Sequence, residues 1–173
     1  ISHYNKDWRA ISQNMYTSTW FNGSLAFLLT LIGILSASYF SRTIFKNPNL
    51  EIPLIIAITM IIPQTFSRVF ASGLNGFRKI WQSNLANEAL SIWVVGVGII
   101  ILQILDIKIN VINVAIIYAV GRLVVSGSIF IYWKSIFTYK GEKSLILKPM
   151  LKMAFPLLLV SGTSIIASNA DAL

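Results

Sequence analysis

The sequence predicts an all-α polytopic membrane protein with about five transmembrane helices, and three observations carry that prediction. Hydrophobic residues make up 55% of the 173 residues and charged residues only 12%, about half the charged share of an ordinary soluble domain. Mean hydropathy is +0.72. Five apolar runs of roughly 18–23 residues take up most of the length, each long enough to cross a hydrocarbon core of about 30 Å. A soluble enzyme is excluded on these grounds.

Taken in order, the expected spans are Trp20–Phe40, Ile52–Phe70, Leu90–Ile107, Val111–Trp133 and Met153 to the chain end. In lipid each segment must satisfy its own backbone groups, so each run is read as a helix; a barrel would show alternating segments of about 10 residues instead. Pro53 falls near the first turn of the second span, where a missing N–H costs little. Pro63 and Pro156 lie further inside and are expected to bend their helices. Tight connections are expected at Asn47-Pro48-Asn49 and around Asp106–Asn110, and a longer one at Lys134–Lys152. Ile1 is not an initiator methionine, and Asp171-Ala172-Leu173 lies inside an apolar run, so the chain is expected to be a piece of a larger protein.

The 14 Lys+Arg against 6 Asp+Glu give a net charge of +8. The bases fall mainly between apolar runs, where they set membrane orientation, and no compact nucleic-acid-binding module accompanies them. Lys6, Arg9, Arg78, Lys79, Lys134, Lys140, Lys143, Lys148 and Lys152 lie on one face of the predicted topology; Arg42, Lys46 and Lys108 lie on the other. The positive-inside rule places the first group, and with it Ile1–Thr19 and Lys134–Lys152, in the cytoplasm. Trp20, Trp81 and Trp133 near span ends are expected at the interface. With no cysteine and a single histidine, His3, disulfides, thiol chemistry and multi-histidine metal sites are excluded. No catalytic constellation and no cofactor box emerges, so no enzyme activity and no cofactor is expected.

Arg122 and Arg68 fall within spans. Arg122 sits about 11 residues, or 16 Å, from either end of Val111–Trp133 at 1.5 Å per residue. A mid-membrane arginine costs roughly 2.5–3.5 kcal/mol on insertion scales. At 100° per residue Ala115, Tyr118, Ala119 and Ser126 share its face, while Val120, Val124 and Ile131 lie opposite. Arg122 is therefore expected to face protein or a water-filled cavity, either as a structural contact or as a cationic group lining a path for an anionic substrate. In the second span Gln64, Thr65, Arg68 and Ser72 form a polar stripe. Arg68 either snorkels to the headgroups or lines the mouth of the same cavity. Glu88, with Asn84, Asn87 and Ser91, is a candidate partner for Arg68 or Arg78. Asp171 is either an intramembrane acid or a surface charge. Ser161, Gly162, Thr163, Ser164 and Ser168 read as helix packing, as does Gly33-Ile34-Leu35-Ser36-Ala37. The Asn22-Gly23-Ser24 sequon lies at a predicted cytoplasmic end and is set aside.

The last run, with Met153-Ala154-Phe155-Pro156, aliphatics through Val160, small residues at Ser161-Gly162-Thr163-Ser164 and then Asp171, resembles the seventh transmembrane helix of bacterial oligosaccharide flippases. These are the O-antigen and capsule repeat-unit exporters of the multidrug/oligosaccharidyl-lipid/polysaccharide superfamily. Gly73-Leu74-Asn75-Gly76-Phe77-Arg78-Lys79 resembles the cytoplasmic connection between the fourth and fifth helices of that family. The resemblance implies part of a twelve-to-fourteen-helix, two-lobe transporter. Residues 1–133 would be helices three to six of the N-terminal lobe, 134–152 the cytoplasmic inter-lobe linker, and 153–173 the start of the C-terminal lobe. It implies a bacterial inner-membrane protein that flips polyprenyl-diphosphate-linked oligosaccharide to the outer leaflet by alternating access. Its partners would be an anionic lipid-linked oligosaccharide, membrane lipids and polysaccharide-assembly proteins. The cavity residues Arg122, Arg68, Tyr118, Ser126 and Gln64 come from position, not from a family motif. The alternatives are a multidrug/cation antiporter of the same superfamily, whose cavity should be acidic, and a polymerase or ligase of the polysaccharide pathway, expected to carry a large outer loop. A purely structural membrane subunit is disfavoured by the cost of Arg122 unless that residue is paired.

Overall fold

The computed structural model describes residues 8–85, 90–138, 144–152 and 154–156. Six α-helices are formed: α1 (Trp8–Tyr39), α2 (Glu51–Thr59), α3 (Ile61–Gly76), α4 (Ile80–Asn84), α5 (Leu90–Ile104) and α6 (Val111–Ile136). Residues 147–152 are also helical, and no strand occurs among the described residues. Three stretches are long and apolar enough to cross a membrane: Trp8–Ile44, Pro48–Gly76 and Val111–Ile136. The chain is a membrane-embedded helical protein. The expected third span is present as α5, but its 15 residues measure about 22 Å at 1.5 Å per residue, less than a hydrocarbon core of about 30 Å. The expected fifth span lies outside the described residues apart from 154–156.

The first helix is already formed at Trp8, the first described residue, and not only from Trp20, because nothing between Trp8 and Thr19 is glycine or proline and the polar residues there continue the turn. Its 32 residues span about 48 Å, so α1 tilts or extends beyond the core. It closes in a π-turn over Phe40–Ile44, with Phe45 N–H donating to Phe40 O at 2.9 Å. Lys46 then adopts a positive φ of 50°. Across this connection Arg42 pairs with Glu51 at 3.3 Å, and Asn47 Oδ1 accepts from Asn49 N–H at 3.1 Å.

Pro63 acts as its chemistry dictates. It has no N–H for the Thr59 carbonyl and its ring crowds that carbonyl, and the second span divides into α2 and α3 at Met60. Asn110 caps α6, its side chain accepting from Asn113 N–H at 2.8 Å.

Small residues set the helix registers. In α1, Gly23 lies against Phe66 and Gly33 against Ile58, so α1 runs antiparallel to α2–α3. A Cβ at Gly98 would collide with Ile117, and one at Gly121 would lie 2.9 Å from Val94, which fixes α5 antiparallel to α6. The pair Phe70–Phe130, with ring centroids 5.3 Å apart, and the close approach of Gly73 to Trp133 advance together by three residues. Helices α3 and α6 therefore run side by side in the same direction.

The core lies toward one end of this bundle, formed by Phe70, Ala71, Leu74, Val125, Ile129 and Trp133, with Phe77 and Phe137 packed against it. Trp133 is only 6% exposed, with its ring 5.3 Å from Phe137 and 5.5 Å from Phe77. The expectation of an interfacial ring fails there: Gly73 offers no side chain, and the indole fills the space. Trp20 and Trp81 are exposed at 57% and 73%. Trp8 joins the same aromatic end, its ring 6.0 Å from Phe77. Thr17, fully buried, accepts the Ile146 N–H at 3.0 Å. The described parts of the three basic segments thus meet at one end of the bundle, with Arg42, Lys46 and Lys108 in the connections at the other.

Candidate functional site

Arg122 is carried by the middle of α6. Residues Ala115, Tyr118, Ala119, Arg122 and Ser126 are all half-buried, whereas Val120, Val124 and Ile131 are 52%, 54% and 69% exposed. The division into a protected and an exposed face follows the helical spacing. One turn before Arg122, the Tyr118 hydroxyl accepts a hydrogen bond from its Nε at 3.1 Å. The guanidinium carbon lies 5.3 Å from the Tyr118 ring centroid, within range of a cation–π contact. Among the described residues no carboxylate pairs with Arg122, and its Nη1 and Nη2 have no hydrogen-bond partner. The end of the guanidinium that binds a carboxylate or phosphate oxygen pair is left open.

Arg68 is exposed on α3 and lines a cleft of about 500 Å³ between α1 and α3, with Met15, Ser18, Asn22, Thr65, Val69, Ser72 and Gly73. Of the expected stripe, Thr65, Arg68 and Ser72 reach this cleft; Gln64 is half-buried but does not line it. Ser18 and Asn22 from α1 are the residues that reading one span at a time misses. Their signal was a polar pair four residues apart inside an apolar helix, which places both on one face.

The two arginines do not share a cavity among the described residues. Arg68 lies about 160° around α3 from Phe70, the residue that packs on α6, at 100° per residue. By the parallel register of α3 and α6, Arg122 is level with Ile62 beside the Met60 break, about 9 Å along the axis from Arg68 at 1.5 Å per residue. No α6 residue lines the Arg68 cleft. Arg68 has two readings, snorkelling or lining the mouth of the same cavity; the described residues hold the two arginines at separate positions around α3 with no cleft joining them.

Glu88 and Asp171 lie outside the described residues. Asn84 is exposed at the end of α4, where Ser83, fully buried, ties α4 to α3 by donating to Ala71 O at 2.8 Å. Among the described residues no group of three His, Asp or Glu side chains could hold a metal ion. No family model, curated protein or solved structure matches the chain.

Proposed function

We propose that the chain belongs to a transporter that flips an anionic lipid-linked oligosaccharide from the cytoplasmic to the outer leaflet of a bacterial inner membrane. The observation that carries this reading is Arg122: a guanidinium at mid-helix, turned from the exposed face of α6, and among the described residues bonded only through Nε to Tyr118. An uncompensated intramembrane cation is costly, and such residues default to functional paths. A diphosphate crossing hydrocarbon has the complementary charge, and the free Nη1–Nη2 edge matches a pair of phosphate oxygens. Ser126, one turn on, adds a hydroxyl to the same half-buried face.

In this reading the basic end of the bundle is cytoplasmic, residues 134–152 link two lobes, and rocking of the lobes alternates access to a site near the bilayer midplane. The remaining spans of a twelve-to-fourteen-helix protein complete the cavity. A multidrug exporter with mainly cationic cargo would be served by an acid where Arg122 stands. A polymerase or ligase would need reactive groups on an outer loop, and the connection between α5 and α6 is only residues 105–110.

The test is Arg122→Ala in the full-length protein, read as surface polysaccharide with membrane insertion checked in parallel. Export is expected to fall at least tenfold with insertion intact. Arg122→Lys, which keeps the charge but not the two-pronged donor, should restore part of the loss. Unchanged surface polysaccharide in Arg122→Ala would remove the basis of the proposal.

A further inference from the structure

The α1–α3 cleft has a second property that does not depend on transport. Its two walls carry the same polarity gradient. On α1 the sequence Ser18, Asn22, Leu25, Leu29 advances by four, three and four residues, so these side chains lie on one stripe. The stripe is polar toward the basic end and apolar beyond, with Leu25 and Leu29 exposed at 45% and 50%. On α3, which runs antiparallel, Ser72, Arg68, Thr65 and Ile61 repeat the pattern in the same direction. The polar part of both stripes converges on the cleft of about 500 Å³ that Arg68 lines.

Not every polar group there is free. Thr65 Oγ1 donates to Ile61 O at 2.8 Å, Asn22 Nδ2 gives one hydrogen to Ser18 O at 2.8 Å, and Ser18 Oγ contacts Met150 Sδ at 3.3 Å. What remains is the Arg68 guanidinium, the second Asn22 Nδ2 hydrogen with the Asn22 Oδ1 acceptor, and the Ser72 hydroxyl, which can donate. Among the described residues no carboxylate approaches Arg68. A cation with neighbouring N–H and O–H donors, and an apolar track leading away from them, complements a molecule with an anionic head and hydrocarbon chains.

We propose that this cleft is a binding site for an anionic phospholipid. Its phosphate is held by Arg68 with Asn22 and Ser72, and an acyl chain lies along Leu25 and Leu29. The lipid comes sideways from the leaflet next to the basic end, since the cleft is open between α1 and α3. A lipid here supplies the anion that Arg68 lacks among the described residues and separates that guanidinium from hydrocarbon, which would otherwise be costly to reach.

The full chain, purified and placed in nanodiscs of phosphatidylcholine with a minor share of phosphatidylglycerol, provides the test by native mass spectrometry after partial delipidation. Wild type should keep one phosphatidylglycerol in preference to phosphatidylcholine. Arg68→Ala should lower that retention at least about tenfold, as expected for loss of a charge-assisted contact. Asn22→Leu, which adds apolar surface and so cannot impair insertion, should lower it severalfold. Arg122→Ala should leave it unchanged, which separates this site from the export reading. Equal retention of the two lipids, or undiminished retention in Arg68→Ala, would overturn the proposal. So would displacement of the lipid by millimolar inorganic phosphate alone, because the apolar track would then contribute nothing.

Discussion

Arg122 and Arg68 are both arginines inside apolar spans, yet their surroundings solve the same electrostatic problem differently. Among the described residues Arg122 makes its one hydrogen bond within its own helix, to Tyr118 four residues away, and its stacking partner is the same Tyr118 ring. Arg68 takes nothing from α3 and stands in a cleft whose other wall is α1. The first environment is local and the second tertiary. A guanidinium braced from within its helix holds its free edge in a defined direction, as a transport site needs; one facing a seam between helices accommodates whatever occupies the seam. The comparison predicts that the two residues fail separately, Arg122→Ala in export and Arg68→Ala in lipid retention. A variant at either position that lost both properties would merge the two regions into one.

Separation of the arginines depends on how α3 sits against α6, and Trp133 fixes that register through Gly73 and Phe70. Removing its ring leaves a cavity in the aromatic core. Trp133→Ala should destabilise the bundle by about 3 kcal/mol or more, within the usual range for truncating a buried aromatic, measured by denaturant titration in detergent micelles. Trp133→Phe should cost much less. If Trp133→Ala unfolded at the wild-type midpoint, the aromatic core would not be what holds α3 to α6, and the opposite placement of the arginines would lose its structural basis.

The local half of the comparison is tested more gently by Tyr118→Phe. The ring and its contact with the guanidinium remain, while the acceptor for Nε is lost. A hydrogen bond between helix-borne polar groups in a membrane contributes on average about 0.6 kcal/mol, so export should drop about threefold, with Arg68-dependent lipid retention untouched. Loss as deep as that of Arg122→Ala would mean that Tyr118 meets the cargo itself.

How much of this was legible in the sequence follows from the same distinction. Anything set within one helix could be read: the protected face of Arg122, the bend expected at Pro63, the tight connection around Asp106–Asn110, the apolar length of three spans. These depend on periodicities of 3.6 residues and on the missing N–H of proline. What depended on two helices meeting could not be read. Trp133 looked interfacial because its position near a span end is visible, whereas the gap at Gly73 that swallows it is not. Asn22 was set aside as a chance sequon, and its place in the Arg68 cleft appears only when α1 is laid against α3. Whether Arg68 shares a path with Arg122 stays open in the sequence because depth can be counted along a chain, whereas the azimuth around α3 requires the packed register. The polar turns of α1 before Trp20 lay outside the apolar run for a different reason: hydropathy marks where lipid begins, and a helix continues until something stops it.

Thr17 offers the smallest and most selective perturbation, since it lies beside Ser18 on α1 yet touches no part of the Arg122 environment. Its hydroxyl donates to Gln13 O at 2.8 Å and accepts from Ile146 N–H at 3.0 Å, in full burial. One oxygen thus ties residues 144–152 to the first span, and Met150, four residues after Ile146, reaches Ser18 at 3.3 Å. Thr17→Val keeps the shape and removes both bonds. The Ile146 N–H then loses its acceptor, at a cost of about 1–3 kcal/mol if the amide stays buried, and less if the segment lifts into water. Hydrogen exchange resolves the two: faster exchange confined to residues 144–152 means the segment has lifted away, and a lowered unfolding midpoint without it means the amide is trapped. Because Met150 contacts Ser18, which lines the Arg68 cleft, lifting should also loosen lipid retention about twofold while leaving the readout of Arg122→Ala unaffected. A Thr17→Val protein that exchanged at the wild-type rate and unfolded at the wild-type midpoint would show that this tether contributes nothing to either region.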